Sequence, residues 1–316
     1  MSMDSETRGV PQRVAVIGGG AVGCYMAAEA YAAGHQVTLC LRTLFERLIV
    51  ETFDASEEVP VTIAAAADAA TDIAADADAD KLTTADWVLI TTKAQDTPST
   101  QRWLDQLVDA RTVIVLLQNG VNHEERLVQL VHQGVTLPGL VYVAVERVSP
   151  GRIVHRGGSR ILVPDGEYGE RFQELLRGSH TEVVLETDFL TSTWKKLLSN
   201  LAANPITALT LQRIGIMQHP DVEGLARELL LEGVAVARAV GAKLGSEDVE
   251  ETLDFYARFK SDGGTSMLYD RLSGRPLEHE YITGAVVSMG EKHGIPTPIN
   301  RVLLTLLRQL TPLNLS

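Results

Sequence analysis

Three closely spaced glycines near the start of the chain constrain its fold more than any other feature. A short apolar run from Val14 to Ile17 leads into the pattern Gly-x-Gly-x-x-Gly, and an alanine-rich segment follows. This order predicts a strand, a tight turn and a helix: the first glycine permits the turn, the second lets the backbone approach a pyrophosphate, and the third lets the helix pack closely on the strand. Free N–H groups at the start of such a helix bind phosphate. We therefore predict a dinucleotide site, with a purely structural turn as the less favoured alternative, and its contacts are expected at Gly18, Gly19, Gly20, Ala21, Val22 and Gly23.

The residue after the second predicted strand, Gln36 to Leu41, indicates which dinucleotide is bound. NAD-selective sites usually place Asp or Glu near this point, where the carboxylate binds the ribose hydroxyls. Arg42 stands there instead, and a guanidinium pairs with a 2′-phosphate but offers no acceptor to a hydroxyl. An ordinary surface arginine is the alternative interpretation. The position favours NADP over NAD as the cofactor.

The length and charge of the chain limit its class. At 316 residues, 45% of them hydrophobic, it exceeds the size at which a single core usually stops growing, so two domains are expected. The net charge of −13 argues against nucleic acid or an anionic membrane surface as a partner. No apolar run approaches the roughly 20 residues that span a bilayer. The polar segment from Met1 to Arg8 is expected to be a loose tail and not a signal peptide.

The cysteines and histidines point to a reducing compartment and to no metal. Cys24 and Cys40 are the only cysteines, and they fall in the predicted helix and strand of the nucleotide fold. Two thiols in so long a chain suggest neither a disulfide scaffold nor a metal site, so we predict cytoplasmic localisation. The histidines, including His123 and His155, show no metal-ligand spacing.

Alternating strand and helix patterns predict an α/β fold for the first part of the chain. Strands are expected at Trp87 to Thr92 and Thr112 to Leu117, with a helix-spaced segment from Thr97 to Val108 between them. Such alternation builds a parallel doubly wound sheet. The acidic, alanine-rich stretch from Glu51 to Lys81 is expected to be a solvated edge. Further strands are predicted at Leu140 to Glu146, Arg152 to His155, Arg160 to Val163 and Glu182 to Leu185.

From Thr187 onward the pattern is helical. Helices are predicted at Leu190 to Leu209, Val222 to Leu244, Val249 to Phe259, Glu280 to His293 and Pro298 to Leu310. The fold class is therefore α/β, with an N-terminal Rossmann-type doubly wound sheet followed by an all-helical C-terminal domain. We place the NADP-binding domain in residues 1–186 and a helical substrate and catalytic domain in residues 187–316.

A polar stripe in the first of these helices indicates a chemical site. Lys196, Asn200 and Asn204 are four residues apart in turn, so they drift only about 80° around a helix, and their neighbours are apolar. A solvent-facing ridge is the alternative, but such ridges favour better helix formers than asparagine. The stripe therefore predicts a wall rich in hydrogen-bond donors. Pro205 is expected to break the helix locally.

Other candidates lie at the predicted sheet edge and in the C-terminal part. Lys93 and Asn119 follow two strands at the carboxyl edge, where ligands of such sheets bind, so they are expected to reach a phosphate and the ribose or nicotinamide. A surface charge is the alternative for Lys93. Ser266 can offer a hydroxyl to a substrate carboxylate, and Glu278 a carboxylate to a substrate hydroxyl or to the lysine. A helix cap and a first-turn helix acid are the respective alternatives.

These motifs together resemble the ketopantoate reductase (2-dehydropantoate 2-reductase) family. The similarity runs from about Arg13 to the last helix, and its most specific part is the stretch from Trp194 to Ala208, Trp-x-Lys-Leu-x-x-Asn-x-x-x-Asn-Pro-x-Thr-Ala. Lys93-Ala94, Asn119-Gly120, Ser266-Met-Leu-x-Asp270 and Glu278 also match. The resemblance implies NADPH-dependent reduction of ketopantoate to pantoate, in the route to pantothenate and coenzyme A.

The resemblance also implies roles for individual residues. The family lysine that protonates the substrate oxygen falls on Lys196, and Glu278 joins it as catalytic. The substrate-binding residues fall on Asn200, Asn204 and Ser266. The coenzyme positions fall on the glycine turn and on Arg42, Lys93, Asn119 and Ala144.

Two positions depart from the family pattern and keep alternatives open. Asp96 stands where members often carry glutamine, and Ser261-Asp-Gly-Gly-Thr265 stands where members often carry an asparagine before the serine. One alternative is an NADP-dependent reductase of another small 2-oxo acid, and the other is a non-catalytic NADP-sensing protein. The expected partner is thus a small 2-oxo acid, and the segment Val222 to Leu244 can supply the surface of a homodimer.

Overall fold

The computed structural model describes residues 10–65, 82–128, 130–259 and 261–310. The predicted N-terminal tail and the part of the predicted acidic edge at 66–81 lie outside these residues. The chain divides into two compact units, the first made of residues up to Gln118 together with Asn122–Thr187. The second combines Asn119–Val121 with the residues from Asp188 onward. Which ligand each unit binds stays a prediction.

The first unit contains the predicted parallel sheet. Six parallel strands pair in the order β5-β2-β1-β6-β7-β8, so the chain starts in the middle, winds outward to one edge and then crosses to the other. The fold-class prediction is confirmed. The central strands are buried on both faces, which is why β6 and β7 are continuous apolar runs. The strands are β1 Arg13–Ile17, β2 Gln36–Leu41, β5 Thr62–Ala65, β6 Trp87–Ile90, β7 Val113–Leu116 and β8 Val135–Pro138.

A second sheet in the same unit corrects one strand prediction. Its order is β11-β10-β3-β4, and β9 pairs with β10. The predicted strands Arg152 to His155 and Arg160 to Val163 are one strand, because Gly157 and Gly158, both at positive φ, form irregularities in the ladder instead of a turn. The strands are β3 Leu48–Glu51, β4 Ser56–Val59, β9 Leu140–Ser149, β10 Arg152–Pro164 and β11 Glu182–Glu186.

The helices of the first unit connect these strands. The helix predicted from Thr97 to Val108 is α-helical only over Gln101–Leu107. The segment before it, Ala94–Thr100, contains Pro98 and is a 3-10 helix. A buried carboxylate, Glu29, ties the first helix to the start of β11 by accepting a hydrogen bond of 3.0 Å from the Thr181 hydroxyl. The α-helices are α1 Ala21–Ala32, α2 Gln101–Leu107, α3 His123–Leu127 and α4 Glu167–Leu175.

The second unit is helical around one apolar cluster, as predicted. Gly233 brings two of its helices together, because a Cβ added there would lie 2.6 Å from Leu201 Cδ2. Trp194, Leu198 and Leu229 are fully buried in the same cluster. No helix of the described residues has the length and apolarity needed to cross a membrane. The α-helices are α5 Phe189–Leu201, α6 Ala203–Thr210, α7 Pro220–Ala239, α8 Ser246–Arg258, α9 Ser266–Leu272, α10 Thr283–His293 and α11 Pro298–Arg308.

The predicted helix Leu190 to Leu209 is two helices, so that prediction is wrong. The interruption lies at Ala202, between α5 and α6, and not at Pro205. Pro205 stands in the first turn of α6, where a backbone N–H would have no intrahelical acceptor, so the proline does not disturb the helix. The Tyr256 hydroxyl instead donates to the carbonyl oxygens of Leu198 and Ser199, at 3.0 and 3.1 Å, in the last turn of α5.

Gly23→Ala should destabilise the first unit. A Cβ at this position would lie 1.9 Å from the Gly18 carbonyl oxygen and 2.4 Å from Thr91 Oγ1, so α1 would have to move away from β1. We expect a loss of about 2 kcal/mol in the free energy of unfolding, measured by urea denaturation. Gly20→Ala is the control, because a Cβ there would meet nothing within 4 Å. Equal stability of the two variants would show that this close approach is not needed.

Candidate active site

The glycine turn has the geometry of a dinucleotide site. Gly18 has a φ of 117°, which an L side chain rarely adopts, and its N–H donates to the Cys40 carbonyl oxygen at 3.1 Å. The Thr91 hydroxyl, at the end of β6, lies 3.0 Å from the Ile17 carbonyl oxygen and supports the turn. The helix α1 begins directly after Gly20. Because the space beside Gly20 is open, the first N–H groups of α1 are accessible to a phosphate.

The other predicted coenzyme residues of the first unit lie on separate elements. Arg42 is exposed and directly follows β2. Lys93 is half-buried and precedes the 3-10 helix Ala94–Thr100, whose first turn contains Asp96. Ala144 is exposed on β9. Their roles as coenzyme contacts remain predictions.

Lys196, the cation of the polar stripe, has a strongly lowered pKa. It is half-buried by surface area, yet its ammonium lies among enough protein that burial lowers the pKa to about 8, while the nearby carboxylate of Glu278 acts in the opposite direction. The adjacent Lys195 behaves oppositely: it is exposed and paired with Asp248 and Glu251 at 2.9 and 3.0 Å, and these partners raise its pKa. The structure therefore distinguishes the surface lysine Lys195 from Lys196, whose pKa lies closer to neutral pH.

The two asparagines of the stripe remain neighbours across the helix interruption. Asn204 Nδ2 donates to Asn200 Oδ1 at 3.2 Å, and Asn200 Nδ2 lies 3.4 Å from the Lys196 carbonyl oxygen. Asn204 is 2% exposed and Asn200 is half-buried. The stripe is therefore not a solvent-facing ridge, which was the alternative interpretation.

Glu278 is a buried carboxylate and not an exposed first-turn acid. It is 4% exposed and precedes the 3-10 helix His279–Tyr281. Asn119 Nδ2 donates to Glu278 Oε2 at 3.3 Å, across 159 positions of sequence. The second unit thus brings Asn119, predicted as a coenzyme residue, together with both predicted catalytic residues.

Ser266 lies at the start of α9 but does not cap it. Its neighbour Thr265 is the cap, with Oγ1 accepting from the Leu268 N–H at 3.2 Å. The same hydroxyl lies 2.7 Å from that of Thr207, in α6. Ser266 itself is exposed, so its hydroxyl is accessible to a ligand. This link between Thr207 and Thr265 was not predicted, because nothing local in the sequence pairs residues so far apart.

A Rossmann-type sheet with an open glycine turn, together with a half-buried lysine beside a carboxylate and amides, defines the class of nicotinamide-dependent oxidoreductases. Residues 14–167 match the family model of ketopantoate reductase PanE/ApbA, and residues 188–311 match its C-terminal model. The chain belongs to the ketopantoate reductase family. This membership makes it an oxidoreductase and favours the enzyme over the non-catalytic sensor.

Individual relatives agree with this membership over nearly the whole chain. The chain is 37% identical to the 2-dehydropantoate 2-reductase of Caulobacter vibrioides over 295 residues, which cover 93% of this chain and 97% of that protein. It is 33% identical to the enzyme of the same name from Mycobacterium tuberculosis, over 93% of this chain and 96% of that protein. The fold also resembles a dimeric ketopantoate reductase from Staphylococcus aureus, with a TM-score of 0.83 and 28% identity over 94% and 97% of the two chains.

The lowered pKa of Lys196 predicts a pH-dependent contribution to stability. The unfolded chain keeps the ordinary pKa of 10.5, against about 8 in the folded protein, so within this window only the unfolded state holds the proton. Stability therefore rises with pH across the window. From about pH 7 to about pH 10, the wild type should gain about 2 kcal/mol relative to Lys196→Met, measured by urea denaturation.

Lys195→Met is the matched control for this experiment. The folded-state pKa of Lys195 is raised and not lowered, so its removal should leave the rise over this window intact. Parallel pH profiles for the wild type and Lys196→Met would contradict the assigned burial of the Lys196 ammonium.

Proposed function

We propose that the protein reduces ketopantoate to pantoate with NADPH, in the route to pantothenate and coenzyme A. The observation that carries this proposal is the half-buried Lys196, whose pKa burial lowers to about 8, in one unit with the nearby carboxylate of Glu278 and the hydrogen-bonded pair Asn200 and Asn204. The names of the relatives from Caulobacter vibrioides and Mycobacterium tuberculosis support the same substrate.

Lys196 acts as the general acid of this reaction. NADPH, when bound, supplies the hydride for the ketone carbon. Negative charge then develops on the ketone oxygen, and the Lys196 ammonium stabilises this charge and donates its proton there. An amine with a pKa of about 8 is well matched to this role, since it is mostly protonated at neutral pH but releases a proton readily. Glu278 holds the ammonium in its charged form.

The substrate carboxylate is bound by neutral donors. Asn200, Asn204 and the exposed hydroxyl of Ser266 orient the 2-oxo acid. Neutral donors bind a carboxylate without adding a second cation that would lower the pKa of Lys196 further. The segment 261–265, which lacks the asparagine common in the family, favours testing other small 2-oxo acids as a second candidate substrate class.

The glycine turn and the cations predicted to contact the coenzyme suit NADP. The turn leaves open space beside Gly20 for the coenzyme, and the exposed guanidinium of Arg42 accounts for a 2′-phosphate. Lys93 provides a further cation and Asn119 a polar contact. The two cysteines are buried free thiols, which fits the proposed cytoplasmic location. By analogy with the dimeric Staphylococcus aureus protein, we propose a homodimer.

With ketopantoate as the only acceptor, the purified protein should oxidise NADPH. Lys196→Ala should lower kcat by about 10²-fold or more, because the general acid and its charge are both lost. Lys195→Ala is the matched control and should retain nearly full activity, since that lysine is exposed and paired on the surface. The rates follow from the loss of NADPH absorbance.

Two results would contradict the proposed function. Near-normal turnover of a folded Lys196→Ala protein would show that Lys196 is not the general acid. The kcat/KM should also be measured for a panel of small 2-oxo acids. A much higher value for another acceptor than for ketopantoate would show that ketopantoate is not the main substrate. Circular dichroism and NADPH binding by the variant would show that its loss of activity is not a loss of fold.

The pH dependence of kcat/KM should report the pKa of Lys196. Activity should be constant below pH about 8 and fall above it, because the free enzyme then loses the proton that it must donate. In Glu278→Gln, the break should move to lower pH, since the negative charge that raises the pKa of Lys196 is removed. A break that stays in place in Glu278→Gln would show that the titrating group is not Lys196.

A further inference from the structure

Arg147 contacts the glycine turn from the other sheet of the first unit. It lies on β9 and is exposed, and its Nη1 donates to the Gly19 carbonyl oxygen at 3.3 Å, across 128 positions of sequence. The guanidinium also lies near the first turn of α1, since its positive charge opposes the rise in the pKa of the buried Cys24 thiol.

The strand geometry explains why this side chain reaches the turn. Val141, Val143 and Val145 lie on one face of β9 and pack against the same core cluster as α1. The pairing of β9 with β10 is regular from Val145 to Arg147, so Arg147 continues the same face. Beyond the edge of the core, that face meets the glycine turn instead of α1.

Gly19 lies close to the end of β2 and to the residues that follow it. A Cβ added at Gly19 would lie 2.6 Å from Leu41 Cδ2 and 3.2 Å from Phe45 Cε1, and Arg42 stands between these two residues in sequence. Gly151, at the tip of the β9–β10 hairpin, packs against Phe45 in turn. Arg42 and Arg147 therefore belong to one edge of the first unit, next to the turn.

These two arginines differ from the others nearby. Within residues 10–65, 82–128, 130–259 and 261–310, neither Arg42 nor Arg147 forms an ion pair with a carboxylate. Each of three neighbouring arginines does: Arg47 with Glu58, Arg152 with Glu51, and Arg156 with Glu146. In a chain of net charge −13, two exposed cations at one ligand site that are not neutralised by carboxylates indicate an anionic ligand.

We propose that Arg147 is a second cation, beside Arg42, for the 2′-phosphate of NADP. The inference rests on the proposed function, since it deepens the preference for NADP. The pyrophosphate already has the N–H groups at the start of α1, whereas the exposed 2′-phosphate needs cations. The Gly19 carbonyl oxygen accepts one hydrogen bond from the Arg147 guanidinium, which leaves its other N–H groups available to the phosphate. Arg147 is thus a specificity-determining residue.

Isothermal titration calorimetry with NADPH and NADH tests this assignment. Arg147→Ala should raise the Kd for NADPH about tenfold, as expected for one lost charge-assisted contact, and should leave the Kd for NADH within about twofold. Arg147→Lys should lie between the wild type and Arg147→Ala. Arg156→Ala is the matched control, because it removes one exposed arginine from the adjacent strand, and it should change neither Kd.

The outcomes separate this inference from the proposed function. Equal weakening of NADPH and NADH in Arg147→Ala would show that the residue only supports the turn, and an unchanged Kd for both would show that it has no role in binding. Either result overturns the inference while the wild type still prefers NADPH. A wild type that binds NADH as tightly as NADPH would instead overturn the proposed cofactor. The probe 2′,5′-ADP, which carries the phosphate without the nicotinamide, should lose affinity in parallel with NADPH.

Discussion

The first unit depends on the close approach of α1 to the end of β1. The Gly23 position leaves no room for a side chain, because the Gly18 carbonyl and the Thr91 hydroxyl occupy the space that a Cβ would take. This contact fixes the start of α1 against the sheet, and with it the direction of the free N–H groups. Residues from other parts of the unit then collect around the turn: Thr91 supports it from β6, Arg42 follows β2, and Arg147 reaches it from β9. A single methyl group at Gly23 would prevent the packing that shapes this turn, the proposed phosphate site.

In the second unit, two opposing effects set the pKa of the half-buried Lys196. Desolvation favours the neutral form of Lys196, whereas Glu278 favours the charged form, and the resulting pKa lies near 8. The neighbouring Lys195, one position away on the same helix, meets water and two carboxylates and keeps its proton to higher pH. Adjacent positions on one helix thus separate the exposed, paired Lys195 from the half-buried Lys196, the proposed general acid.

Much of this arrangement could be predicted from local sequence patterns. The glycine spacing, the apolar strands β6 and β7 and the polar stripe each have a signature within a few residues, so the fold class followed. The interruption at Ala202 has no such signature, since Ala202 and its two neighbours all favour a helix, whereas Pro205 predicts a break three residues further on. Contacts between distant segments could not be predicted from such local patterns either. Asn119 contacts Glu278, and Arg147 contacts Gly19, only because tertiary packing brings them together. For the same reason the local pattern does not show that β10 continues through Gly157 and Gly158, where it pairs with β9 across an irregular ladder.

The tripeptide Asn119–Val121 makes the helical unit discontinuous in sequence. It is grouped with residues from Asp188 onward, although the chain on both sides of it belongs to the sheet unit. A fragment that starts at Asp188 would thus lack the amide that donates to Glu278 and the Val121 side chain that belongs to its apolar cluster. Recombination between relatives at that boundary would combine a carboxylate from one parent with an amide from another. An excised helical module of this protein therefore needs the tripeptide as well as the residues from Asp188 onward.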